Sequence, residues 1–279
     1  MDREVVLSVL AVLIAGPALL LGGALPARRI RIQRARELER AAWARLWRPL
    51  VPTAIALAGL VGWALSEPAN SERIPTACFL AASPFLLLWC RTARRAFRAL
   101  TLPRERQLIA TVGLFRPRIL VSPRLDHVLD PQSFRAAIAH EQAHLRHRDP
   151  LRLWLAQLAT DSQWPWPSAR ARYVEWRHSL ELARDEEARA RGIDGVDLAS
   201  AILKVAGVSS AVCGEGAGFL GDGQRLRERI ARLLCPIMPE NAGSPSVLPW
   251  ALLLAVVAAL FAGAAYGEPV VRAFLGERW

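Results

Sequence analysis

Long apolar blocks alternate with basic stretches along the chain, and the blocks set the expected architecture. Val5–Leu25 runs 21 residues without a charge, Leu50–Leu65 runs 16, Ile74–Cys90 runs 17 and Val247–Gly267 runs 21. A helix rises about 1.5 Å per residue, and a hydrocarbon core of about 30 Å asks for roughly 20 apolar residues, with a lower limit near 17. The first and last blocks therefore read as membrane-spanning helices. The middle two gain from Trp47, Trp63 and Trp89 near their ends, where indole rings favour the membrane interface. A buried hairpin of core helices is the competing reading for that middle pair. A cleaved signal peptide fits the first block poorly, because Met-Asp-Arg-Glu is not a basic leader and the apolar run is too long.

Arginine placement predicts an orientation. Ala27–Arg36 and Arg91–Arg98 are arginine-rich and should stay in the cytoplasm, whereas Ser66–Arg73 carries a single Arg and should face out. The expected organisation is three spans in 1–90 with a basic cytoplasmic loop at 27–48, a cytoplasmic domain at 91–246, a fourth span at 247–267 and an extracytoplasmic tail at 268–279. Both termini then lie outside a bacterial-type inner membrane. Arg28–Trp47 reads as an amphipathic helix with Leu38, Trp43, Leu46 and Trp47 on its apolar side. It would either lie on the anionic inner leaflet or serve as a solvated linker.

Composition adds exclusions. The 279 residues hold 36 Lys+Arg against 25 Asp+Glu, a net charge of +11, and 53% are hydrophobic, far above a disordered chain. Cys78, Cys90, Cys213 and Cys235 form no CxxC pair, which removes a disulfide framework and a cysteine metal site. The positive charge sits largely beside the spans, where topology explains it, and no nucleic-acid-binding motif accompanies it.

The candidate chemistry lies in 91–246, which holds all five His. At its centre is His140-Glu141-Gln142-Ala143-His144, on a helix predicted from Pro131 to about Arg146 with Asp130 as cap. The i,i+4 spacing puts both imidazoles on one face, able to reach one metal, with Glu141 about 100° round, within reach of a metal-activated water. Zinc hydrolysis needs this set: an ion that acidifies water and a carboxylate that takes the proton. A second helix, predicted over Ala169 to about Arg191 with Ser168 as cap, carries Glu181 and Asp185 on one face. Glu181 can complete a His-His-Glu ligand set, and Asp185 can hydrogen-bond a ligand imidazole. His178, one turn before Glu181, could replace it as ligand or stabilise an oxyanion. His147 reads as a surface or outer-sphere residue, and His127 as a loop residue. Asp149-Pro150 should open the next helix with Asp149 as cap. Leu108–Val112 and Arg118–Val121 predict a β-hairpin, either structural or able to pair with an extended peptide.

Taken together, these spans and motifs resemble the BlaR/MecR-type membrane zinc peptidases. The stretches that carry the likeness are Gly113–Pro123, Ala139–Asp149, Glu181–Glu186 and Arg229–Leu234. The resemblance implies a mainly α membrane protein of four spans with a cytoplasmic α+β gluzincin-like domain. It also implies one zinc ion on His140, His144 and Glu181, with Glu141 as general base. Family members cleave in the cytoplasm and relieve repression by a winged-helix repressor, so the implied partner is a protein or peptide substrate of that kind. Antibiotic-sensing members carry a large penicillin-binding domain after the last span. Here only Glu268–Trp279 follows, and the single lysine, Lys204, has Ala201 three residues before it, so no S-x-x-K exists. A stimulus is expected from a separate sensor protein, the spans or the short outer segments. Two other functions fit the same residues less well: a quality-control or processing peptidase of the HtpX/CAAX type, and a catalytically idle signal transducer.

Overall fold

The computed structural model describes residues 3–24, 34–66, 76–101, 108–213, 219–235 and 248–275. Four helical stretches in it are long and apolar enough to cross a membrane: Val5–Gly23, Ala35–Ser66, Thr76–Arg98 and Leu254–Val271. The outer loop expected at Ser66–Arg73 lies almost wholly outside the described residues.

Helix α1 (Arg3–Gly23), α3 (Val51–Ser66), α4 (Thr76–Thr101) and α11 (Leu248–Leu275) correspond to the four apolar blocks. The last two run past the predicted ends: α4 continues through its arginine-rich segment, and α11 through much of the expected tail, with Pro269 inside the helix. Val6, Leu10, Leu60, Trp63, Ala82 and Val271 form the apolar centre of this bundle. Glycines set the crossing of α3 and α11. A Cβ on Gly263 would overlap the carbonyl oxygen of Gly59, and one on Gly62 would overlap that of Leu260. Close backbone approach at small residues is how apolar helices associate where no hydrophobic drive separates protein from lipid. Gly263→Leu is therefore expected to push the two helices apart and cost about 1–3 kcal/mol, read as a lowered midpoint of unfolding in detergent micelles; an unchanged midpoint would rule out this crossing.

Between the spans lie α2 (Ala35–Trp47), joined to α3 by a 3₁₀ turn at Arg48–Leu50, and a mostly helical domain. The domain opens on a hairpin of β1 (Ile109–Val112) and β2 (Arg118–Val121), antiparallel with Thr111 opposite Ile119. Then come α5 (Leu125–Val128), α6 (Pro131–Arg146), α7 (Asp149–Asp161), α8 (Pro167–Ala190), α9 (Gly195–Cys213) and α10 (Phe219–Leu234). Among the described residues this hairpin is the only sheet. His127 sits in the short helix α5 rather than in a loop.

The structure corrects the reading of Arg28–Trp47. Its helical part, α2, lies neither on lipid nor free in solvent but against the domain. Ala35, Leu38, Ala42 and Leu46 recur at helical spacing on one side and are buried. Ala42 and Leu46 pack with Ala156, Ala159, Trp176 and Leu180, while Ala35 and Leu38 pack with Leu182 and Ala183. Arginines on its other sides meet acids of α8, Arg45 with Glu175 at 3.4 Å and Arg36 with Glu187 at 3.7 Å. Leu38 and Leu46 of the stripe read from sequence are buried here, and Trp43 and Trp47 are half-buried against the same packing; the partner is protein.

Candidate metal centre

Helix α6 begins as its sequence dictates. The Asp130 side chain accepts from the backbone N–H groups of Gln132 and Ser133 at 3.1 and 3.0 Å, and Pro131 takes the first helical position. Ala136, Ala137 and Ala143 are buried on this helix, and small residues let α8 and α9 approach closely. His140 and His144 lie on the buried side, both 8% exposed, with their Nε2 atoms 3.0 Å apart.

Helix α8 brings the predicted third group. Glu181 Oε2 is 3.4 Å from His140 Nε2 and 3.9 Å from His144 Nε2. Ligand atoms on a tetrahedral ion at about 2.0–2.2 Å are separated from one another by about 3.3–3.6 Å; the observed 3.0, 3.4 and 3.9 Å fall on either side of that range, close enough for the three atoms to reach one ion with small adjustments. The Glu141 carboxylate also falls in the cluster, within 4.8 Å of both imidazole nitrogens.

The far sides of the rings explain why a cation suits this place. His144 Nδ1 is 2.8 Å from Asp149 Oδ2, and His140 Nδ1 is 2.9 Å from Asp185 Oδ1, though at an angle poor for a hydrogen bond. With a carboxylate behind each Nδ1, the favoured tautomers turn both Nε2 lone pairs toward one point. Two lone pairs at that distance repel unless a proton or a metal lies between them. Burial opposes charge on His140, but the Asp185 and Glu181 carboxylates outweigh it and raise its pKa to about 10, so without a metal the ring holds a proton. Four carboxylates (Glu141, Asp149, Glu181 and Asp185) face two guanidiniums (Arg184 and Arg229), which leaves two negative charges for a divalent ion. Arg152, the third cation nearby, is matched by Glu39.

Sequence reasoning missed four of the supporting residues. Asp149 is not a cap. Helix α7 starts at Asp149 itself, after Arg148 turns into the left-handed region at φ 51°, and that turn aims the carboxylate inward. Asp149 is fully buried and takes two hydrogen bonds from Arg184, at 2.5 and 2.8 Å. Arg229, from α10, donates to both oxygens of Asp185 at 2.8 and 2.9 Å and reaches Glu181 Oε2 at 3.2 Å. Burial resists ionisation of Glu181 and Asp185, yet Arg229 and His140 hold Glu181 well below the usual carboxylate range and lower Asp185 as well. Thr111, on β1, donates its hydroxyl to Glu141 Oε2 at 2.7 Å and orients that carboxylate. An Arg inside an otherwise amphipathic helix, or a Thr in a four-residue strand, carries no local sign of these roles.

Two of the remaining histidines are occupied elsewhere. His178 Nε2 pairs with Glu228 Oε2 at 2.9 Å, and His147 Nε2 with Glu187 Oε2 at 2.8 Å. Ser168 does not cap α8; Trp166 precedes the helix, and the Ser168 hydroxyl donates instead to the Gly23 carbonyl at the end of α1.

The arrangement sets the Glu141 carboxylate beside two imidazoles and the Glu181 carboxylate, a set that could hold a cation, on two helices locked by buried ion pairs. Residues 99–233 match the family model described as BlaR1 peptidase M56, a stretch that contains every group of this centre from Thr111 to Arg229. Neither a curated relative nor a solved structure matches the chain. A segment similar to the BlaR1 peptidase M56 family, residues 99–233, is thus set between helices apolar enough to cross a membrane.

Proposed function

We propose that the protein is an integral-membrane zinc endopeptidase that cuts a cytoplasmic protein, with a winged-helix repressor or a similar regulator as the preferred class of substrate. The observation that carries this reading is the convergence of His140 Nε2, His144 Nε2 and Glu181 Oε2 beside the Glu141 carboxylate. That pairing of one helix bearing HExxH with a glutamate from a following helix is the gluzincin-like plan. The arginine-rich runs favour a cytoplasmic site with both termini outside, and a separate sensor would supply the stimulus.

His140, His144 and Glu181 hold the ion, which when bound acidifies water and polarises the scissile carbonyl. Glu141 accepts a proton from the attacking water and returns it to the departing amine. Thr111 keeps the Glu141 carboxylate turned for that exchange by its hydrogen bond to Oε2. Asp149 and Asp185 hold the two imidazoles in the tautomer that presents Nε2. The complete ligand set speaks against an idle transducer, which would need no base beside the histidines.

Metal removal tests the reading. Protein purified gently in detergent is expected to contain about one zinc per chain, to lose both the metal and peptide cleavage on dialysis against a chelator, and to recover both when zinc is restored. Cleavage that persists without metal would sink it.

A further inference from the structure

We propose that Glu39, on α2, is a positioning residue of the metal centre, acting on His144 through Arg152 and Asp149. This rests on the metal-site reading above and extends it to a part of the chain that lies outside residues 99–233.

Glu39 is a carboxylate in the middle of the apolar stripe of α2 and is only 7% exposed. Its neighbours on the stripe are Ala35, Leu38, Ala42 and Leu46, all packed on apolar side chains. Burying a charge there is costly unless a partner compensates it. The partner is Arg152 of α7, whose Nη2 donates to Glu39 Oε1; the Trp176 indole N–H approaches the same oxygen at 3.4 Å. The Arg152 guanidinium lies over two rings, 4.7 Å from the centre of Trp43 and 5.7 Å from that of Trp176. Its other nitrogen, Nη1, donates to Asp149 Oδ1 at 3.2 Å, and Asp149 Oδ2 meets His144 Nδ1 at 2.8 Å. A continuous chain of contacts thus runs from α2 to a metal ligand.

The direction of the effect follows from charge. Asp149 already carries two hydrogen bonds from Arg184. Glu39 draws Arg152 away from Asp149 and neutralises it. Without that carboxylate, Arg152 turns its whole charge on Asp149 and competes with the His144 N–H for its oxygens. A less negative Asp149 makes a less basic imidazole, which binds a cation more weakly. Outer partners of this kind shift metal affinity by about 10–100-fold, and Glu39, one residue further out, belongs at the lower end.

The test uses the full chain in detergent micelles, with zinc affinity measured by competition with a chromophoric chelator and cobalt(II) as a spectroscopic substitute. Glu39→Gln keeps the shape of the side chain and removes its charge. It is expected to bind zinc about tenfold more weakly and to shift the visible absorption of the cobalt form, while the metal-free protein keeps its melting midpoint. Asp149→Asn serves as the reference and is expected to weaken zinc further. If Glu39→Gln matches the wild type in zinc affinity and cobalt spectrum while Asp149→Asn does not, the role of Glu39 is refuted and the metal centre stands. If the wild-type protein takes up neither metal, the metal-site reading itself is refuted. Should Glu39→Gln fail to fold, Arg152→Lys carries the test. It keeps a positive charge but cannot fork between two carboxylates, and unchanged zinc binding there overturns the proposal equally.

Discussion

Glu141→Gln protein is expected to keep its zinc and to lose cleavage by about 10²–10⁴-fold. The amide is close in size to the carboxylate and can still accept the Thr111 hydroxyl hydrogen bond through its carbonyl oxygen, so the local shape survives. It has no capacity to take a proton at neutral pH. His140, His144 and Glu181 are untouched, and metal analysis beside a cleavage assay separates loss of the base from loss of the ion. The same protein should hold its substrate uncut, which makes it a means of capturing the partner. Cleavage at the wild-type rate would remove Glu141 from the mechanism.

The second large effect is on stability. In metal-free protein, Asp149→Asn is expected to cost about 3–5 kcal/mol, because it takes from the guanidinium of Arg184, 2% exposed, the carboxylate that accepts both its short hydrogen bonds and leaves it only Glu187 at 3.9 Å. The penalty should depend on pH in a defined direction. Burial raises the pKa of Asp149, but the hydrogen bonds from Arg184 and His144 outweigh it and bring it to about 2, from an ordinary value of 3.8. A depressed carboxylate stabilises the fold fully above its ordinary value, and the contribution disappears as pH falls through the folded one. The gap between wild type and Asp149→Asn in denaturant unfolding should therefore be widest at neutral pH and narrow between about pH 4 and pH 2. A gap that stays constant over that window would show that the Asp149 charge is not what Arg184 needs.

Local signals in the sequence were sufficient where the chemistry is local. Asp130-Pro131 and the i,i+4 histidines define α6, and the structure has that helix at Pro131–Arg146 as predicted. The hairpin likewise follows from two β-prone runs around Gly113, whose φ of 96° suits only glycine. Glu181 and Asp185 come to the histidines because both share a helical face, and that spacing is visible in the chain. What stayed hidden depends on long-range packing. Asp149 read as a cap because Asp-Pro is a common helix start, and only the left-handed Arg148 redirects it. Arg229 lies 44 residues from Asp185, and nothing near it reveals the pairing. The apolar stripe of α2 was evident, yet a stripe does not say whether lipid or protein covers it.

That cover has a practical consequence for anyone dissecting the molecule. The domain is discontinuous in sequence: a fragment begun at residue 91 would contain His140, Glu141, His144 and Glu181 and still lack α2. Trp176 and Leu180, fully buried in the whole chain, would lose part of their packing to water, and Arg152 would lose Glu39 and keep only Asp149. Expression of residues 91–246 alone would thus yield a sticky, incompletely closed core, and an inactive fragment of that kind says nothing about the intact peptidase.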